Sequence, residues 1–183
     1  MGATEDGGRD RDPSGRAQNQ RPRDRLGRPL PYGSPGVPRV PEDAVFTAQE
    51  GLDAAQRFLD DGYAFHAHEV LEAVWKSAPD EQRELWRGLA QIAVGLTHAQ
   101  RGNRVGAARL LRRGADRVEA YGPQAPEGTD ALGAAAFGRG VADALDRGDD
   151  APIDTAGLRL RRGGESPAPP AAPGDDGTPQ GVR

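Results

Sequence analysis

L-W-R-G-L-A-Q-I-A-V-G-L-T-H-A-Q-R-G-N-R-V-G-A-A-R-L-L, residues 85–111, reads as two helices and the turn that joins them. Leu85, Leu89, Ile92, Leu96 and Ala99 recur every three or four residues, the period of one helix face. Arg101-Gly102-Asn103 then stops one helix and starts another, because Gly suits the left-handed residue after a helix end and Asn the cap before the next. So short a turn forces the two rods to lie antiparallel. Val105, Ala108, Leu111, Ala115 and Val118 carry the second rod's inward face to about residue 121, with its Arg residues mostly outward, and Pro123 and Pro126 end it. Gly88 and Gly95 lie close to the first stripe. Each costs up to about 1 kcal/mol relative to Ala, so close approach of a neighbouring helix is their expected use.

Working outward, Pro79, Asp80 and Glu81 give the first of these rods an acidic start, which places it over 80–101. An earlier helix is expected over 63–76. Another should begin just after Pro41, where Glu42 and Asp43 meet the positive end of a helix dipole, with Val45, Leu52, Ala55 and Leu59 in rhythm and Asp60-Asp61-Gly62 as its stop. A fifth, over 129–147, has Leu132, Ala136, Phe137, Val141 and Leu145 in step but is diluted by Gly. The pattern predicts an all-α fold, a compact antiparallel helical bundle of about five helices with disordered N- and C-terminal tails. Neither the G-N nor the G-A pair of 102–107 recurs at the spacing of about 34 residues that a helical-repeat array needs, which favours one bundle.

The domain plan that follows is a disordered Pro- and Arg-rich arm at 1–41, a helical bundle at 42–147 and a disordered tail at 148–183. Leu30, Tyr32, Val37 and Val40 leave the end of the arm able to lie extended on the domain surface, and the tail holds only Ile153, Leu158 and Leu160 as large apolar residues. The net charge is −4, which argues against nucleic acid as a partner of the whole domain. Eight Arg against three Asp between residues 9 and 39 leave room for weak phosphate contact by the arm, although Arg dominates over Lys throughout the chain. Cys is absent, which removes disulfides and thiolate chemistry and fits a reducing compartment. With no apolar segment long enough to span a membrane, a soluble cytoplasmic protein is expected.

Chemistry concentrates in F-H-A-H-E-V-L-E-A-V-W at 65–75. At 100° per residue Phe65, His68, Leu71, Glu72 and Trp75 share a side, so an imidazole and a carboxylate are expected on a buried face. Gln91 and His98 lie along one line of the next helix and could converge on them across an antiparallel pair. One reading is a divalent-metal site, Zn or non-haem Fe, ligated by His68, Glu72 and His98. Glu69 would then be its general base in a hydrolase-type enzyme. The chain has H-E-x-x-E and not H-E-x-x-H, so the zincin mechanism does not transfer. The plainer reading is a structural polar network that fixes the register of two helices. A small-ligand or partner pocket using His68, Glu72, Trp75, Gln91 and His98 is the third. His66, on another face, reads as a solvated side chain, Trp75 and Trp86 as core and rim aromatics, and Asn103 as a cap.

Three linked motifs, F-x-A-H-E-V-L-E-x-x-W at 65–75, G-L-A-Q-I-A-V-G-L-T-H at 88–98 and R-G-N-x-x-G-A at 101–107, resemble the small bacterial helical family catalogued as domain of unknown function 309. The resemblance covers about residues 43–122, and the arm and the Arg bias are similar to those of actinobacterial members. It implies an all-helical bundle and no particular activity. It also implies a shared site, since His68, Glu69, Glu72, Trp75, Gln91, His98, Gly102 and Asn103 match the family pattern.

Overall fold

The computed structural model describes residues 21–37, 40–41 and 44–163. Among these residues five α-helices follow one another: α1 (Ala48–Asp60), α2 (Ala64–Ser77), α3 (Arg83–Gln100), α4 (Arg104–Glu119) and α5 (Ala131–Asp146). Each packs chiefly on its neighbours in sequence, giving an all-α bundle. Among the described residues no helix is long and apolar enough to cross a membrane.

Local chemistry sets the helix ends. The first helix starts at Ala48, later than the acidic pair at 42–43 suggests, because Thr47 and Glu50 form a reciprocal cap. The Glu50 N–H donates to Thr47 Oγ1 at 3.2 Å and the Thr47 N–H to Glu50 Oε2 at 2.9 Å, satisfying two of the donors a helix start leaves free. Val45 therefore precedes the helix and is exposed, not inward. Asp80–Gln82 is a separate 3₁₀ turn ahead of α3. Gly102, at φ +81°, and Asn103, whose Oδ1 accepts the Gly106 N–H at 3.0 Å, make the α3–α4 turn as expected. Val105, in the first turn of α4, is exposed, because the packed face of that helix is Ala107, Ala108, Leu111, Gly114, Ala115 and Val118.

Glycine brings α3 and α4 together. A Cβ on Gly88 would sit 3.1 Å from the Gly114 carbonyl oxygen, and one on Gly114 would sit 2.8 Å from the Gly88 carbonyl oxygen. A Cβ on Gly95 would sit 2.7 Å from Leu111 Cγ and 3.1 Å from Leu111 N. The two helix backbones are in contact where any side chain would hold them apart.

Parts of both expected tails, residues 21–37 and 149–163, are described and lie against the bundle. Residues 149–163 form a strap across α1, with Leu158 and Leu160 fully buried. Its backbone has partners that the sequence pattern hides. The buried Gln56 amide donates to Leu158 O at 3.1 Å and accepts from Leu160 N at 2.9 Å, while Thr155 Oγ1 donates to Leu59 O at 2.6 Å. Asp130 N donates to Leu160 O at 2.9 Å and Arg162 N to Gly128 O at 2.9 Å. Two leucines suffice because their polar backbone is satisfied in the same place.

At the other end, residues 21–30 fold into a loop. Asp24 Oδ1 accepts from Leu26 N and Arg28 N at 2.9 and 2.8 Å, and Leu30 N donates to Pro22 O at 2.7 Å. Gly27, at φ +74°, lies on the Phe65 ring, where a Cβ would come within 2.1 Å of a ring carbon. The remaining parts of the expected arm and tail, 1–20 and 164–183, fall outside the described residues.

Candidate functional site

The packed face of α2 is Ala64, His66, Ala67, Val70, Leu71 and Val74. It is turned away from the side expected from the aromatics. Small and β-branched residues let α2 wedge between α1 and α3, where Val74 lies so close to Gly51 that a Cβ there would be 2.2 Å from it. Phe65, His68, Glu72 and Trp75 consequently lie at the edge, half-buried.

His66 is the correction that follows. It is fully buried, not solvated, with its ring 5.5 Å from Phe58, 5.9 Å from Tyr63 and 5.4 Å from Phe65 between centroids.

Along the edge runs a ladder of side chains four residues apart. His68 Nε2 is 3.2 Å from Glu72 Oε2, and Lys76 Nζ is 3.2 Å from Glu72 Oε1. His68 Nδ1 is 3.1 Å from the Phe65 carbonyl oxygen. Burial pushes the His68 imidazole below its ordinary value, and the Glu72 carboxylate, which favours the charged form, opposes that shift. Both ring nitrogens thus face acceptors while the surroundings disfavour the second proton.

The remaining sequence-predicted residues are engaged elsewhere. Gln91 Oε1 accepts from Arg117 at 2.8 Å, and Arg117 also pairs with Glu84 at 2.9 Å, tying α3 to α4. His98 Nδ1 accepts from Asn103 Nδ2 at 3.0 Å, so one amide both caps α4 and holds the imidazole. Glu69 is half-buried on α2. Trp75 packs at the core margin, whereas Trp86 is fully buried and donates from Nε1 to Gln82 Oε1 at 3.4 Å. The structure brings His68 and Glu72 together and gives His98 a different partner. Among the described residues no group of three or more His, Asp or Glu side chains is placed to hold a metal ion.

Sequence reasoning missed the clasp around Phe65. Arg23 and Arg101 hold their guanidinium carbons 5.0 and 5.6 Å from the ring centroid, and Arg101 Nε donates to Leu26 O at 2.8 Å. It also missed Gln56, although a polar residue between Leu52, Ala55 and Leu59 on one helical stripe is a visible signal of a buried polar role.

Residues 52–110 match the model of the family described as Domain of unknown function (DUF309), a shorter reach than the motifs suggested. Over 48 residues the chain is 46% identical to a Bacillus subtilis (strain 168) protein titled "Uncharacterized protein YpuF". That alignment covers 26% of this chain and 28% of the relative, so the chain spans little more than a quarter of the length of the curated relative it matches. No solved structure matches the chain. The likeness to the family described as Domain of unknown function (DUF309) therefore spans residues 52–110, the stretch that runs from α1 into α4.

Proposed function

We propose that the chain is a helical binding module, acting through a small ligand or partner, in which the His/Glu cluster is a structural polar network. The observation that carries this is the commitment of the polar groups. Glu72 spans His68 and Lys76, Gln91 receives Arg117, and His98 receives Asn103. Such a ladder runs from His68 to Lys76 along most of α2 and, through the Phe65 carbonyl that His68 Nδ1 faces, reaches the seat of the arm.

One feature favours the second reading, a metal-assisted hydrolase using His68, Glu72 and His98 with Glu69 as base. A metal-bound imidazole typically donates its other N–H to a carbonyl, and His68 Nδ1 faces the Phe65 carbonyl at 3.1 Å. Nε2 and Glu72 would then supply two ligands. A third is what the cluster needs and what His98, bonded to Asn103, does not offer in this arrangement.

Elemental analysis of untagged, chelator-free protein, followed by zinc and ferrous titration, separates the readings. The structural network predicts less than about a tenth of an equivalent of metal and no uptake. It also predicts that His68→Ala lowers unfolding free energy by about 1–3 kcal/mol. Stoichiometric metal that disappears in His68→Ala would replace it with the metal reading.

A further inference from the structure

The turn at 24–28 carries its shape within itself. Asp24 N donates to Arg28 O at 3.0 Å and Gly27 N to Asp24 O at 2.9 Å, while Asp24 Oδ1 accepts from Leu26 N and Arg28 N at 2.9 and 2.8 Å. Two flanking bonds brace it, Leu30 N to Pro22 O at 2.7 Å and Val37 N to Arg23 O at 3.0 Å. These bonds join the arm to itself, so the turn keeps its fit wherever it docks.

The seat is equally selective. A Cβ at residue 27 would come within 2.1 Å of a Phe65 ring carbon, and φ +74° favours glycine there as well. Arg101 reads the preceding carbonyl, its Nε donating to Leu26 O at 2.8 Å while its guanidinium carbon lies 5.6 Å from the ring centroid. Turn and seat are thus two parts with complementary surfaces.

A long link joins them. Phe65 opens α2 beside the end of α1, and α1 is 13 residues long, so its start lies about 20 Å from the seat. Residues 31–47 bridge that distance and can span up to about 55 Å. Pro31, Pro35 and Pro41 within the link favour extended over compact backbone. Such a link reaches a seat on a neighbouring molecule as well as its own.

We infer that the arm exchanges between copies of this chain: the 24–28 turn of one copy docks on the Phe65–Arg101 seat of a second, and the second returns the exchange. The product is a two-fold dimer with both seats filled. Reciprocal exchange preserves each contact between turn and seat, so it costs little beyond association itself. The closed chain competes as its own ligand at an effective concentration of about 1 mM. Exchange therefore sets in as the protein concentration approaches that value.

The inference rests on the reading of the chain as a binding module and names its partner as a second copy. Failure of the two is distinguishable, because metal uptake at His68 would overturn the binding reading without touching the seat, and failed exchange would leave the metal titration unchanged. The test pairs two full-length variants. Gly27→Ala spoils the turn and keeps the seat, whereas Arg101→Ala, an exposed change, spoils the seat and keeps the turn. Isotope-labelled Gly27→Ala chain is titrated with unlabelled Arg101→Ala chain, and the amides of 62–68 and 98–103 are followed. They should move saturably toward their wild-type positions, and unlabelled Gly27→Ala as titrant should be at least about ten-fold weaker. Phe65→Ala should serve as turn donor equally well. Wild type at about 1 mM should hold a dimer fraction by sedimentation that dissolves on dilution, with Gly27→Ala monomeric throughout. Absence of saturable shifts up to about 1 mM, or equal shifts from either titrant, would overturn the exchange. Docking of an isolated 21–37 peptide without docking of the Arg101→Ala chain would overturn it too, and would give the seat to a loop of another protein.

Discussion

The arm and the strap are both terminal segments laid over the same bundle, and they are held by different physics. The strap buries Leu158 and Leu160 completely, pairs its backbone with Gln56 and the loop before α5, and donates from Thr155 Oγ1 to Leu59 O. Among its described residues the arm buries no large side chain completely. It rests a glycine on Phe65 and relies on guanidinium groups over the ring and on Arg101 reaching Leu26 O. Full burial of a leucine contributes about 1.5–3 kcal/mol, whereas an exposed cation–π contact contributes about 0.5–1 kcal/mol. The strap is therefore part of the folding unit, and the arm is a cover that can leave without unfolding it.

Leu160→Ala is the hardest blow to that distinction. It should lower unfolding free energy by about 2–5 kcal/mol, read by urea denaturation. A loss under about 1 kcal/mol would reduce the strap to a second cover. Gly27→Ala tests the other side. The left-handed backbone and the Phe65 ring both reject a methyl group, so the loop should lift away, with faster limited proteolysis within 21–37. Global stability should change by less than about 1 kcal/mol, and a larger cooperative loss would place the arm in the folding unit too.

The smallest effect is in pH, and it belongs to the arm's side, because the His68 and Phe65 ring centroids are 5.5 Å apart. Burial lowers the His68 value in the folded protein. On acidification the unfolded chain takes up that proton first, at about its ordinary value of 6.5, so stability falls as pH drops through this region. The His68→Gln variant should show a shallower decline between pH 7 and 5, measured by thermal midpoint. Parallel profiles would remove His68 from the pH response, and a steeper one would mean that Glu72 outweighs burial.

How much was legible in the sequence follows from where the information lies. Periodicity and turn chemistry are local, so the α3–α4 hairpin, its Gly-Asn turn and the close-packing role of Gly88 and Gly95 could be read from residues within a few positions of one another. The start of α1 was misjudged because two signals competed, and the reciprocal Thr47–Glu50 cap prevailed over the acidic pair. The rotation of α2 was hidden because Ala67, Val70 and Val74 look less core-like than Phe65 and Trp75. Their small size is what admits helices on both sides. The strap escaped because its evidence is divided between Gln56 and Leu160, about a hundred residues apart, and neither is conspicuous alone. At the candidate site, His68 and Glu72 were legible from their four-residue spacing, whereas the Asn103 bond that takes up His98 depends on how the chain turns after α3.

The Gln56 amide binds a segment that emerges from the ribosome 102 and 104 residues later. At about 5–20 residues per second, α1 waits on the order of 5–20 s for its covering leucines. Until then Gln56 can rely only on its bond within α1, Nε2 donating to Asp60 Oδ1 at 2.9 Å. Completion of the core over α1 is thus timed by the arrival of Leu158 and Leu160.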